Sequence, residues 1–297
     1  MTQAHASRLT IALLVLLTAG CRSVPLPLAE GETPPTIRFL LTYDDGPSIR
    51  TGYNPTLMIA DQLASNDVQP GIKGIFFVQT GNPKAGGSPR GQEIIKDLAA
   101  RGHTIGIHSV SKTHIDHRKI PRDELIRLLV GAKAMIHEQT GAIPHFVRPP
   151  FGARNAMTQA VYADLGLYVL MADIPAHDGI IYGYKASLRR GVHIRHFLQD
   201  IMARRATDPK FDGTISVIIG FHDVNPYTAK HMTEYLHILV EEARRVGFSV
   251  PDKPFYDRPN EVQDVAISRR LTPPRFAIPE ASLANKPATP AKPRSSL

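Results

Sequence analysis

Two aspartates, Asp44 and Asp45, stand side by side in LTYDDGP, where an apolar run ends and Gly46-Pro47 breaks the chain. Adjacent carboxylates repel, so the pair needs a cation, a shared proton or open water around it. A solvated turn would satisfy it, since Asp and Gly are ordinary turn residues. Other reactive groups stand at comparable places. His108 ends HTIGIH, Arg148 lies near the end of HFVRPP, Asp173 follows YVLMA, and His222 closes TISVIIGFH. A carboxylate with two imidazoles makes an N2O site for zinc or a similar divalent ion, with a position left open for water. Asp45, His108 and a second histidine could supply it. Asp44, unliganded beside the ion, could accept the proton of that water, with Arg148 holding its pKa low and fixing its position. His222 has the pKa range of a general acid, and a nearby Asp would hold its tautomer and favour its charged form. This set suits metal-assisted hydrolysis of an amide or ester.

The elements that must position these groups alternate in type. TIRFLLTY, GIFFV, HTIGIH, HFVRPP, YVLMA and TISVIIGFHD read as strands, with FSV as a last short one. TLMIADQLASN, GQEIIKDLAARG, RDELIRLLVGAKAMIHEQTG, the stretch after Asn155, RHFLQDIMARRA and KHMTEYLHILVEEARRVG have helical spacing. TISVIIG is too apolar to alternate, as expected for a strand buried on both faces. Strands alternating with helices predict an α/β fold with parallel strands inside and helices outside. In a parallel barrel the C-terminal strand ends converge on one face, where barrel active sites lie. The solvated-turn reading of Asp44 and Asp45 weakens there, because each of the other groups also follows a strand end.

The stretches LTYDDGP, HSVSKTH, RPPFG, ADIPAHD and VIIGFHD come in the order of the motifs of the NodB-type polysaccharide deacetylases, carbohydrate esterase family 4, which the chain resembles over roughly residues 36–250. The resemblance implies a distorted (β/α) barrel. It also implies a hydrolase that removes acetyl groups from N-acetylated polysaccharide of the peptidoglycan or chitin kind, using zinc, or cobalt or nickel in its place. Carried over by motif, Asp44 would be the general base, Asp45 and His108 metal ligands, Arg148 the residue orienting the base, and His222 the general acid. The backbone N–H of Phe151 would help bind the oxyanion.

Two departures from the pattern bear on the site. The family's second histidine ligand follows the first by four residues, but Lys112 stands there, and its amine is normally protonated. His114 fits if the loop is two residues longer, and His117 is a second possibility. In the fourth motif, Asp178 matches the last Asp, Gly179 replaces the Trp, and Pro175 replaces the first Asp, with Asp173 two places earlier. Either Asp173 or Asp178 could support His222. The missing Trp removes a wall of the usual sugar groove, so an O-acetyl esterase with the same site and a catalytically impaired glycan-binding module are the alternative readings. His103, His137, His145, His193, His196, His231 and His237 lie away from the C-terminal strand ends and are expected to be packing or surface residues.

The ends carry different information. Residues 1–20 have the plan of a secretory signal, with Arg8 before an apolar run too short for a comfortable membrane span. Cys21, the sole cysteine, follows TAG and resembles a lipobox cysteine, although Thr18 replaces the usual leucine. The expectation is an exported chain on a lipid-anchored tether, residues 21–35, in the cell envelope. Arg22 after the cysteine leans towards the outer membrane of a Gram-negative cell. With Cys21 lipidated no disulfide is possible, so the core must suffice. The catalytic domain is placed at 36–255, and the Pro-rich basic stretch 256–297 reads as a disordered tail. The net charge of +8 comes without an Arg/Lys stripe, and no nucleic-acid partner is expected.

Overall fold

The computed structural model describes residues 28, 30–178, 190–208 and 210–271. The secretory signal, Cys21 with most of its tether, nearly all of the segment after Asp178 and the last part of the tail lie outside them. Eight strands form one sheet: β1 (Ile37–Gly46), β2 (Gly74–Val78), β3 (Thr104–Ile107), β4 (Phe146–Val147), β5 (Tyr168–Val169), β6 (Ile174–Pro175), β7 (Lys210–Phe211) and β8 (Thr214–His222). The order is β5-β4-β3-β2-β1-β8-β6, parallel throughout, with β7 antiparallel to β8 outside this path. The sheet curls as a distorted (β/α) barrel that stays open, since no pairing among the described residues joins β5 to β6.

Eight helices accompany it among the described residues: α1 (Pro55–Ala64), α2 (Pro89–Ala100), α3 (Arg122–Thr140), α4 (Ala156–Asp164), α5 (Arg190–Ala203), α6 (Pro226–Lys230), α7 (Met232–Val246) and α8 (Pro259–Ser268). Their starts follow local chemistry. Asn54, Ser88 and Asn155 each accept a bond from a first-turn N–H, and α1 and α2 open on proline. None is long and apolar enough to cross a membrane.

The central strand shows how the sheet sorts its residues. Phe39, Leu41 and Tyr43 pack into the large core cluster with the buried faces of α1, α2, α3, α5 and α7. Leu40, on the other face, belongs to a smaller cluster with Ile75, Phe77, Phe146 and Ile218. Period-two alternation then puts Thr42 and Asp44 on the same face as Leu40, one above the other toward the C-terminal end. One strand therefore builds a core wall and a functional column at once.

The expected tail starts too early. Tyr256, its first residue, is fully buried, its hydroxyl shares a 2.6 Å bond with Ser216, and Arg38 lies over its ring. Helix α8 then buries Val262, Val265 and Ala266 in the smaller cluster. Each fully buried valine is worth roughly 1.5–3 kcal/mol against exposure, so the segment to Ser268 is part of the fold. The basic, Pro-rich composition beyond it hid a short amphipathic stretch. The FSV segment forms only an isolated bridge, Thr36 to Ser249, rather than a strand.

Candidate active site

The C-terminal ends of β1, β3, β4 and β8 bring the predicted groups together. Parallel pairing of β1 with β8 sets Asp44 directly beside His222. At the tip of β1, Asp45 turns into the left-handed region at φ 74. That conformation is unusual for a residue other than glycine, though Asp tolerates it better than most. Gln79 holds the turn: its Nε2 donates to the Asp45 carbonyl at 2.7 Å and its N–H to the Gly46 carbonyl at 2.8 Å. Gly46 must be glycine, because a Cβ there would lie 2.0 Å from the Asp223 carboxylate.

Asp45, His108 and His114 each aim one donor atom at a common point, and these atoms lie within 4.8 Å of one another. His108 Nε2 is 3.2 Å and His114 Nε2 3.6 Å from Asp45 Oδ1. Neither approach is a hydrogen bond: Asp45 Oδ1 and His114 Nε2 are buried and without a bonding partner. Leaving such atoms unmatched is costly, and a cation at their focus would match all three. Their chemistry fits a divalent ion of the zinc kind, with a fourth position free. Electrostatics agree. Burial opposes charge on Asp45, yet the imidazoles of His108, His114 and His222 outweigh it and hold its carboxyl below the usual range. Burial also opposes charge on His108, but Asp45 and Asp44 outweigh it and raise its pKa. Burial keeps His114 below its usual range, in the neutral form that can ligate. His108 is aligned from behind, its Nδ1 2.7 Å from the Arg148 carbonyl.

Asp44 is held separately. Arg148 Nη1 donates to Asp44 Oδ1 at 2.9 Å and to the Thr42 hydroxyl at 2.7 Å, while Nε donates to the Leu170 carbonyl. The guanidinium also lies 4.4 Å from the Phe77 ring centre, almost fully buried. Thr42 and Asp44, one above the other on β1, are thus held by one arginine.

His222 faces Asp45 across the same opening, with Nε2 3.9 Å from Asp45 Oδ2. Its Nδ1 is 2.7 Å from Asp178 Oδ1, and its backbone N–H donates to Asp178 Oδ2 at 2.9 Å. The Thr228 hydroxyl donates to Oδ2 as well, and Asn225 donates to the Asp178 carbonyl. Burial alone would lower the His222 pKa. The carboxylates of Asp178, Asp44 and Asp45 win and push it up to about 9.

Several expectations are corrected. Asp173 does not reach His222: Oδ2 accepts from the Ile218 N–H at 2.8 Å and Oδ1 pairs with Arg269 at 2.5 Å, which fastens the end of α8 to the sheet. Of the two candidate supports for His222, only Asp178 touches it. His117 lies outside the converging donors; it is fully buried, 2.8 Å from the Tyr162 hydroxyl, and burial drives its pKa to about 3. Phe151 sits in RPPFG at φ 60, a residue 72% exposed, with its ring beside His114. Four of the other histidines have ordinary partners: His103 with the Gly74 N–H, His193 with the Pro175 carbonyl, His231 with Glu234 and His237 with Asp67.

Sequence reasoning passed over Gln79, Thr42 and Asp223. Asp223 is buried, accepts from the Thr56 hydroxyl at 2.8 Å, and has a carboxyl that burial pushes up to about 7. An acid immediately after His222 at a strand end was the available signal.

A polysaccharide deacetylase family profile matches residues 31–170, which carry the double aspartate, both histidines of the cluster and Arg148. Over residues 31–170 the chain is similar to the polysaccharide deacetylase family. A chitin deacetylase of Pestalotiopsis sp. is 27% identical to the chain over 205 residues, 69% of this chain and 57% of that protein. A peptidoglycan-N-acetylglucosamine deacetylase of Bacillus cereus is 30% identical over 112 residues, 38% of this chain and 35% of that one. The chain thus spans about half or less of the length of these relatives. The chitin deacetylase of the fungal pathogen Colletotrichum lindemuthianum has the same fold, with a TM-score of 0.55, 20% identity, and 74% of this chain and 88% of that one covered. The deacetylase-family match stops at residue 170, so His222 and Asp178 enter the site from beyond it.

Proposed function

We propose that the chain is a metal-dependent hydrolase that removes acetyl groups from an N-acetylated polysaccharide of the cell envelope. The observation that carries this reading is the focus of three donor atoms, two of them buried and unpartnered, beside a separately held carboxylate. Asp45, His108 and His114 would hold the ion. When bound, a divalent ion there supplies Lewis acidity and acidifies water. Asp44, with one oxygen fixed by Arg148, takes the proton of the attacking water. The Phe151 N–H stabilises the negative oxygen that develops on the acetyl carbonyl. His222, kept charged by Asp178, delivers its Nε2 proton to the departing sugar nitrogen as the carbon–nitrogen bond breaks, leaving acetate and a free amine. The named activities of the chitin and peptidoglycan relatives favour the N-acetyl substrate. The export pattern of residues 8–21 favours the envelope as the place of action.

Purified protein loaded with zinc or cobalt should release acetate from N-acetylglucosamine oligomers, and stripping the metal with a chelator should stop it reversibly. Release from O-acetylated xylan but from no N-acetylated oligomer would replace the amidase reading with an esterase. Saccharide binding with no turnover under any metal would make the chain a binding module.

A further inference from the structure

The two histidines at the metal cluster are held in different ways. His108 belongs to the end of β3 and is fixed through Nδ1 by the Arg148 carbonyl. His114 comes from an irregular loop six residues on. Among the described residues nothing hydrogen-bonds its ring, and its Nε2 points at the cluster. A ligating histidine normally needs a partner that fixes the ring. Two rings lie against His114: His108, with centres 5.0 Å apart and planes tilted by 47°, and Phe151, with centres 4.8 Å apart and planes 20° from parallel, so that of the two only Phe151 is stacked on its face. Phe151 can make that contact because its left-handed backbone turns the ring outward over the loop, between Pro150 and Gly152. The turn itself is tied by bonds from the Gly152 and Ala153 N–H groups to the Pro149 and Pro150 carbonyls.

The rest of the loop is anchored at its ends. The Thr80 N–H donates to the Ser109 carbonyl at 2.8 Å, and the Val110 carbonyl lies so close to Gly81 that a Cβ there would be 2.3 Å away. On the far side, His117 is buried against Tyr162. Between these anchors the backbone is placed, but the imidazole could still rotate about its side-chain bonds. We infer that the Phe151 side chain is a positioning residue for His114, which sets metal affinity by stacking on the ligand ring.

This inference rests on the metal-site reading above, and the test separates the two. The full chain is titrated with cobalt(II), following the visible absorption of the bound ion, for the unaltered protein, Phe151→Ala, Phe151→Tyr and His114→Ala. Alanine preserves the backbone N–H and the backbone demand at residue 151, so only the ring is lost. Phe151→Ala should weaken cobalt affinity about tenfold, and Phe151→Tyr should restore it to within about twofold. Unchanged affinity in Phe151→Ala beside a large loss in His114→Ala would overturn the positioning role and leave the metal site standing. An Ala variant that raises KM for the oligomer but binds cobalt normally would likewise overturn it, leaving Phe151 to serve the substrate alone. Unchanged affinity in His114→Ala as well would overturn both readings.

Discussion

Asp45→Ala should abolish metal retention and acetate release together. The carboxylate is the only anionic member of the donor set, and its neighbours already hold it in the charged form. Lewis-acid stabilisation is worth several kcal/mol, so the rate should fall about 10³-fold or more. The backbone at Asp45 complicates the alanine variant, because φ 74 suits Asp and Asn better than Ala. Asp45→Asn keeps the turn and its bonds to Gln79 while removing the charge. It should unfold near the same denaturant concentration as the unaltered protein and still lose tight metal binding. Equilibrium dialysis followed by acetate assay checks both variants. A fully active, metal-free Asp45→Asn would rule the metal out of the reaction.

The second large effect belongs to Asp178. Its Oδ1 partners His222 Nδ1, and against burial that hydrogen bond and then the charge of Asp178 are the leading influences that raise the imidazole's pKa. A general acid must be protonated, so its contribution holds below its pKa and is lost above it. Asp178→Asn removes the negative charge, lowers the His222 pKa, and should move the alkaline limb of the kcat profile to lower pH. A cation on Asp45 offsets that residue's share of the raised value of about 9, but not the share of Asp178. The maximal rate should also drop about 10²-fold, within the usual range for a proton-transfer group. Cobalt affinity should stay close to that of the unaltered protein. A pH–rate series shows both changes. An unmoved alkaline limb would mean that His222 is not the group titrating there.

Much of this was legible in the chain. The double aspartate, His108, Arg148 and His222 stand at the ends of apolar runs, and parallel packing leaves such ends one common face. The alternation of strands and helices pointed to the architecture. What failed or stayed open has a physical reason in each case. Asp173 and Asp178 both follow a strand, and only the three-dimensional path shows that Asp173 turns to Arg269 while Asp178 turns to His222. His114 lies on an irregular loop and His117 opens a short 3-10 turn (His117–Lys119) three residues on, and no period in the sequence says which one points inward. The helix Pro259–Ser268 sits in basic, Pro-rich company that masks its buried face. Gln79 and Thr42 act through backbone and hydroxyl bonds, which carry no signature in sequence, whereas Asp223 was marked only by its place next to His222.

Everything proposed for the site depends on Asp45, His108 and His114 sharing one ion, and a crystal structure of the zinc-loaded protein decides whether they do. Zinc should appear with His108 and His114 nitrogens and an Asp45 oxygen each at about 2.0–2.2 Å, and with Asp44 outside that shell on Arg148. An ion held without His114, or a His114 ring turned to solvent while zinc is bound, would refute the shared site.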